Sequence, residues 1–289
     1  MADLPRSAVP ALRLTIANQA AVRADGAYVL YWMTGARRTG WNFALQRAVE
    51  WARHLHRPLV VFEPLRCGYR WASDRFHAFV LQGMADNAAA CARHHVTYLP
   101  YVEDAAGAGR GLLGTLAGDA CLVVGDESPA FFLPHLTAAA ARVLPVRLEL
   151  VDGNGLLPLR ATTAASSTAY AFRRLLQKQL GPHLESMPVP EPLAAAPRLP
   201  APRLPQPWGI RWRAADTGLM HGTAAVLAHL PIDHRVGVVT TPGGALAAGR
   251  RLADFLAHGL SRYHEERNVV EDGAASGLSP WLHFGQLAS

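Results

Sequence analysis

An α/β fold, a Rossmann-like parallel sheet followed by a separate helical segment, is what this sequence predicts, and three features predict it. Between Ala27 and Val151, short apolar runs alternate with longer amphipathic ones. Eight prolines then crowd into residues 188–207. Beyond them the apolar periodicity is helical, with no strand-like run between the helices. Strand–helix alternation calls for a parallel sheet with helices on both faces, because each parallel connection must cross back over the sheet.

The strands come first in the argument. Tyr28-Val-Leu-Tyr-Trp-Met33, Pro58-Leu-Val-Val-Phe62, Val96-Thr-Tyr-Leu99, Ala120-Cys-Leu-Val-Val124 and Val146-Arg-Leu-Glu-Leu150 have strand length and are rich in β-branched or aromatic residues. Between them, Trp41 to His56 sets Phe43, Ala44, Ala48, Trp51, Ala52 and Leu55 at helical spacing. Arg70 to His94 repeats the pattern with Phe76, Phe79, Val80, Met84 and Cys91. Thr168 to Leu184 predicts a helix that ends at Gly181-Pro182 or shortly after. The prolines of 188–207 forbid regular pairing and mark a linker draped over the surface. Thr217 to Leu230 and Gly244 to Arg267 then predict two helices, with Thr241-Pro-Gly-Gly244 leading into the second. Ser279 as N-cap and Pro280 at the first position predict one more, hardly two turns before the sequence stops at Ser289. The boundaries expected are an N-terminal arm over 1–24, the α/β domain over 25–160, a helix and linker over 161–215, and an incomplete helical domain over 216–289.

Composition narrows the class. Half of the 289 residues are hydrophobic, which supplies a sizeable core and excludes wholesale disorder. No apolar run approaches the ~18 residues that span a bilayer. A net charge of +6 leans towards polyanionic partners, but Lys178 is the sole lysine among 28 basic residues, which points to base composition rather than a basic patch. Cys67, Cys91 and Cys121 are odd in number and far apart, so a reduced, cytoplasmic protein without a metal site is expected. Arg6, Arg13 and Arg23 lie in an N-terminal stretch that lacks the apolar segment of a secretory leader.

Several motifs fail on context. Gly109-Arg-Gly111-Leu-Leu-Gly114 matches G-x-G-x-x-G, yet it follows the third strand, and Leu133-Pro134 sits where the acidic partner belongs. A loop opening a helix is the reading it supports. His54 with His56, and His94 with His95, lack the i, i+4 spacing of a helical zinc site. Neither a G-x-S-x-G nor a P-loop lysine occurs. Asp126-Glu127 falls at the carboxyl end of a strand, where it suits either a bound ligand or a helix N-cap.

The tail carries more. Arg262-Tyr263-His-Glu-Glu-Arg267-Asn268 precedes Ala275-Ser276-Gly277-Leu278-Ser279-Pro280-Trp281-Leu282-His283-Phe284-Gly285-Gln286. A small, hydroxyl-bearing turn that runs into a helix offers unpaired N–H groups to a phosphate, with ordinary capping as the plain alternative. Tyr263 and Arg267, four apart, share a helix face.

These residues resemble the flavin-binding signature of the photolyase/cryptochrome family, a helical R-Y-x-x-x-R-N followed by a small-S-x-L-S-P-Y-L-H-F-G-Q run. Earlier segments are most similar to its class II cyclobutane pyrimidine dimer photolyases. Tyr28 to Met33 resembles Y-V-L-Y-W-M, Asn42-Phe-Ala-Leu45 resembles N-W-A-L, Val151-Asp-Gly-Asn154 with Leu157-Pro158 resembles V-D-A-H-N-x-x-P, and Tyr170-Ala-Phe-Arg173 resembles part of E-Y-A-A-x-T-x-R. Gly35-Ala-Arg-Arg-Thr-Gly-Trp41 stands where the class has the acidic D-Q-R-x-x-D-N, and Trp281 stands where it has tyrosine.

The resemblance implies an antenna domain, a long connector and the beginning of an all-α FAD-binding domain. It implies light-driven repair of cyclobutane pyrimidine dimers in UV-damaged DNA by electron transfer from reduced FAD, a carbon–carbon lyase reaction. Carried over by position, Tyr263, Ala275, Ser276, Gly277, Leu278 and Ser279 would contact FAD, Ala275 through its backbone only. Arg267 would lie at the edge of the DNA-binding face, against a plain role as ion-pair partner of Glu271 or Asp272. Trp281 and Phe284 read as core rather than electron carriers. The remaining flavin contacts and the lesion pocket lie beyond this motif in the family, so the chain is expected to be a fragment with no catalytic residue of its own. A second antenna chromophore of deazaflavin or folate type, a monomeric state and no membrane association complete the expectation. A cryptochrome-type blue-light sensor, or a nucleotide-binding α/β module whose flavin domain has decayed, are the alternatives.

Overall fold

A computed structural model of the chain describes residues 5–162, 165–270 and 273–289. Strands β1 (Leu14–Ile16), β2 (Tyr28–Trp32), β3 (Leu59–Leu65), β4 (Thr97–Val102), β5 (Ala120–Glu127) and β6 (Leu148–Asp152) form one sheet in the order β1-β6-β5-β2-β3-β4. The five predicted strands pair in parallel, and β1 adds an antiparallel edge against β6. Alternation along β2 shows how the core is divided. Tyr28, Leu30 and Trp32 face one side with Leu112, Leu116 and Leu148, whereas Val29, Tyr31 and Met33 face the other with Trp51, Ala52 and Cys91. Every residue of β2 is buried, as a central parallel strand covered on both faces requires.

Helices α1 (Phe43–Leu55) and α2 (Asp74–Arg93) cover the second face, and α3 (Leu112–Asp119) and α4 (Leu133–Val143) cover the first. Asn42 starts α1. Its side chain accepts from the Leu45 amide at 3.0 Å and donates to Tyr31 Oη, the Ala36 carbonyl and the Arg38 carbonyl. Replacing Asn42 with Ala is expected to cost about 2 kcal/mol, the upper end for an N-cap. Urea unfolding of the variant checks this, and an unchanged midpoint would refute it.

Several expectations about the elements change. The arm over 1–24 contains β1, which closes the sheet edge, with Arg13 buried beneath it and bonded to the carbonyls of Asp152, Gly155 and Leu156. The predicted helix 168–184 is two pieces, α5 (Ala169–Gln179), capped by Thr168, and α6 (Gly181–Leu184). That over 217–230 is also two, α7 (Thr217–Met220) and α8 (Ala224–Leu227), broken at Gly222, which takes φ +62° and sits so close to Ala78 that a Cβ would lie 2.8 Å from its backbone. The long helix from Gly244 divides into α9 (Ala245–His258), a 3-10 turn over Leu260–Arg262, and α10 (Tyr263–Glu266), with the break at Gly259.

The proline-rich segment 188–207 runs over the surface and is anchored at Pro192 and Leu193, with a second anchor just beyond it at Trp212. Leu193 is buried among the α1 residues of one face, and Trp212 is buried on the opposite face with its indole N–H on the Ala108 carbonyl. The segment therefore passes round the β4 edge, where the Ala215 amide bonds the Pro100 carbonyl. Helices α7 and α8 and the last element, α11 (Ser279–His283), pack on α2. Gly83 on α2 makes room for Gln286, whose buried amide bridges the Phe79 carbonyl and the Gly244 amide at 2.9 and 2.7 Å.

Candidate functional site

The strand order reverses between β5 and β2, and α/β sheets form their ligand crevice at such a point, beyond the carboxyl ends of the strands. Asp126, at the end of β5, fills its floor. One carboxylate oxygen accepts from the amides of Thr34, Gly35 and Ala36 at 2.8–3.0 Å, and the other accepts from Tyr31 Oη at 2.8 Å. Burial and the Asp126 carboxylate hold the Tyr31 phenol well above its ordinary pKa, so it stays a donor. Asp126 is thus neither a helix cap nor a free ligand group: it shapes the turn that follows β2. Glu127 is bound through both oxygens by Arg160, while Asn154 donates to its carbonyl.

Above this floor opens a cavity of about 860 Å³. Its walls include Arg66, Arg70, Trp71, Phe131, Phe132 and His283. The Arg70 guanidinium lies 4.4 Å over the exposed Trp71 ring, and that of Arg66 lies 5.7 Å over Phe132. Phe131 is 72% exposed in a left-handed backbone (φ +58°), with its ring edge-on to His283. Aromatic faces beside arginines suit a flat ligand with an anionic substituent. Tyr69, also part of the wall, stacks on fully buried His77, whose pKa burial lowers to about 4.

Helix α11 joins this cavity to the tail motif. Its carboxyl end, with the residues that follow, forms part of the cavity wall. There Gly285 at φ +69° abuts the Gly35 carbonyl, and Arg38 donates to the carbonyls of Gly285 and Leu287. Its other end leads back into the 275–279 turn. Ser279 is the first helical residue rather than the N-cap, because Leu278 already has helical angles (φ −84°, ψ −9°). At five residues the helix is too short for much of a macrodipole.

The predicted site residues converge on α9. Phe255 holds the Tyr263 ring edge-on at 5.5 Å, and Arg251, one turn earlier on the same face, binds the carbonyls of Ala275 and Ser276. Gly273 presses on the carbonyls of Glu266 and Val269, which draws the turn against the end of α10. Ala275, Gly277 and Ser279 are exposed, whereas Leu278 is buried with Phe79, Ala247, Ala248 and Trp281 and offers only its backbone. Arg267 is exposed, 6.0 Å over the Tyr263 ring. Its expected partners Glu271 and Asp272 lie outside the described residues. Trp281 is core, with its indole N–H on the Pro242 carbonyl, and Phe284 packs on Phe76 and Phe79.

Sequence reasoning missed the cavity arginines and aromatics. The carboxyl-end rule points to this end of the sheet, but these residues lie in loops after β3 and β5 and belong to no motif. Arg251 carried no signal, because its role depends on where a distant turn lands.

No family model matches the chain. It is similar to a deoxyribodipyrimidine photo-lyase of Methanothermobacter thermautotrophicus, with 27% identity over 263 residues, covering 91% of this chain and 54% of the relative. A second of that name from Oryza sativa subsp. japonica is 28% identical over 279 residues, with 91% and 51% covered. The chain spans about half the length of the curated relatives it matches. Among solved structures, a bacterial class III photolyase from Agrobacterium tumefaciens superposes with a TM-score of 0.65 at 18% identity, over 91% of this chain and 51% of the other. An archaeal photolyase from Sulfolobus tokodaii, described with two FAD molecules and a novel light-harvesting cofactor as its implication, gives 0.51 at 11% identity over 90% and 53%. At these identities the structural likeness is one of fold.

Proposed function

We propose, on the premise that this chain belongs to the photolyase family, that it is the light-harvesting and flavin-gripping part of a DNA photolyase acting on UV-induced pyrimidine dimers. The observation that carries the reading is the convergence on α9, where one helix face holds both Tyr263 and the 275–279 turn. A turn with exposed backbone beside a half-buried tyrosine fits a flavin dinucleotide. Tyr263, Ala275, Ser276, Gly277, Leu278 and Ser279 would hold FAD, Leu278 through its main chain and the two serines through hydroxyls. The chemistry that FAD supplies when bound is light-driven electron donation to the cyclobutane ring. Arg267, exposed beside Tyr263, would meet the phosphates of damaged DNA, whose dimer costs less to flip out than an intact base step.

The cavity beyond the sheet would hold a second, antenna chromophore. Trp71, Phe131 and Phe132 would stack on its ring system, and Arg66 and Arg70 would receive an anionic group. Helix α11 borders both places, which would fix their separation. Further flavin contacts and the lesion pocket would come from chain beyond residue 289 in a longer protein.

The absorption spectrum of the purified chain tests this, measured on residues 1–289 and on the longest reading frame containing them. Flavin bands in either product are the expected result, and a dimer-repair assay follows on that product. Neither product carrying flavin would leave a decayed nucleotide-binding module. Flavin without preference for dimer-containing DNA would favour the cryptochrome-type sensor.

A further inference from the structure

We infer that Arg251 is the positioning residue that turns the Ser276 and Gly277 amides outward, towards the diphosphate of a bound flavin dinucleotide. The inference rests on the flavin reading above and adds a residue that the family-like motif does not contain.

An arginine beside a phosphate-binding turn would ordinarily be taken for a phosphate ligand. Here each of the three guanidinium nitrogens already has a protein partner. Nε donates to the Ser276 carbonyl at 2.8 Å, Nη2 to the Ala275 carbonyl at 3.1 Å, and Nη1 to Asp254 Oδ2 at 2.6 Å. Arg251 therefore works from behind the turn. A trans peptide is planar, so its N–H points opposite to its C=O. With the Ala275 carbonyl drawn to Arg251, the Ser276 N–H must face away. The Ser276 carbonyl does the same for the Gly277 N–H.

Three further features fit this arrangement. Gly277 takes φ +66°, and a Cβ there would lie 3.0 Å from Arg251 Nε, so a side chain would both strain the turn and dislodge the arginine. Ala274 and Leu278 are buried, which pins the turn at both ends and leaves Ala275 and Gly277 as its exposed crest. Asp254, which also meets His258, holds Arg251 in place from the next turn of α9. Neutralising its guanidinium locally, Asp254 makes Arg251 a weaker direct attractor of phosphate and a better brace.

The test compares FAD with riboflavin, which has the same ring system and no diphosphate, in equilibrium fluorescence titrations of the purified chain. Wild type, Arg251→Gln, Arg251→Lys and Asp254→Asn are titrated, and hydrogen exchange of the Ser276 and Gly277 amides is followed in each. Two charge-assisted bonds hold the turn, so Arg251→Gln is expected to weaken FAD by about tenfold or more and riboflavin by less than about twofold. Exchange at both amides should quicken, and Arg251→Lys, which can keep one carbonyl, should fall between. Equal losses for the two flavins would reduce Arg251 to a general structural brace and overturn the inference, as would unchanged FAD affinity or unchanged exchange. Should Arg251→Gln fail to fold, Asp254→Asn makes the same comparison without removing the arginine. A wild-type chain that binds neither flavin defeats the flavin reading itself, and this assignment with it.

Discussion

Asp126→Ala should lower the stability of the fold by about 4 kcal/mol, the largest single-residue effect expected from the crevice. Removing the carboxylate strands the amides of Thr34, Gly35 and Ala36 and the Tyr31 hydroxyl together. Each buried donor left without a partner costs about 1–3 kcal/mol, and water from the cavity recovers part of the sum. Asp126→Asn keeps one oxygen for the three amides, with Tyr31 turned to accept from the new NH₂ group. Its loss should be about 1–2 kcal/mol. Urea unfolding of both variants decides the matter, and equal midpoints for Ala and Asn would refute the assigned role. The effect should reach further than stability, because the same turn carries Gly35 and Arg38, on which the carboxyl end of α11 is seated.

Acid should destabilise the protein through His77, the second large effect. This ring is fully buried on α2, with Nδ1 3.2 Å from the Ser73 carbonyl, and burial lowers its pKa to about 4. An unfolded chain takes up the proton near the ordinary value of 6.5, whereas the folded one resists until about 4. Between those values the unfolded state binds more protons, so stability present above pH 6.5 drains away as pH falls, at about 1.4 kcal/mol per unit and about 3 kcal/mol in all. His77→Gln removes the titrating group. The wild-type and variant stabilities, measured by urea unfolding at pH 7, 5.5 and 4.5, should therefore converge as the pH falls. Parallel curves across that range would show that His77 does not carry the acid sensitivity.

Some of this protein was written locally in its sequence. The five parallel strands are legible because burial on both faces demands continuous apolar runs such as Tyr28 to Met33, and strand length with flanking amphipathic runs sorts them from helices. Asn42 announces the start of α1, and the proline density of 188–207 excludes regular structure, for reasons confined to neighbouring backbone. The tail motif, from Tyr263 to Gln286, was likewise legible as a string of residues.

Other features depended on what meets across the fold. Leu14 to Ile16 are a strand only because β6 offers an unpaired edge, and so short a segment has no periodicity of its own to show it. The long helical patterns after Thr217 and Gly244 break at Gly222, which meets Ala78 of α2, and at Gly259, which packs on Phe255 of α9, and an apolar repeat says nothing of either break. Asp126 looked available to a ligand at a strand end until three amides from the turn after β2 reached it. Arg251 is invisible as a functional residue because 24 and 25 positions separate it from the carbonyls it holds. Hydrophobic period and capping act over one or two turns of chain, so sequence determined the elements. The pairing of buried polar groups acts across the fold, so tertiary structure alone decided which of those elements build a site.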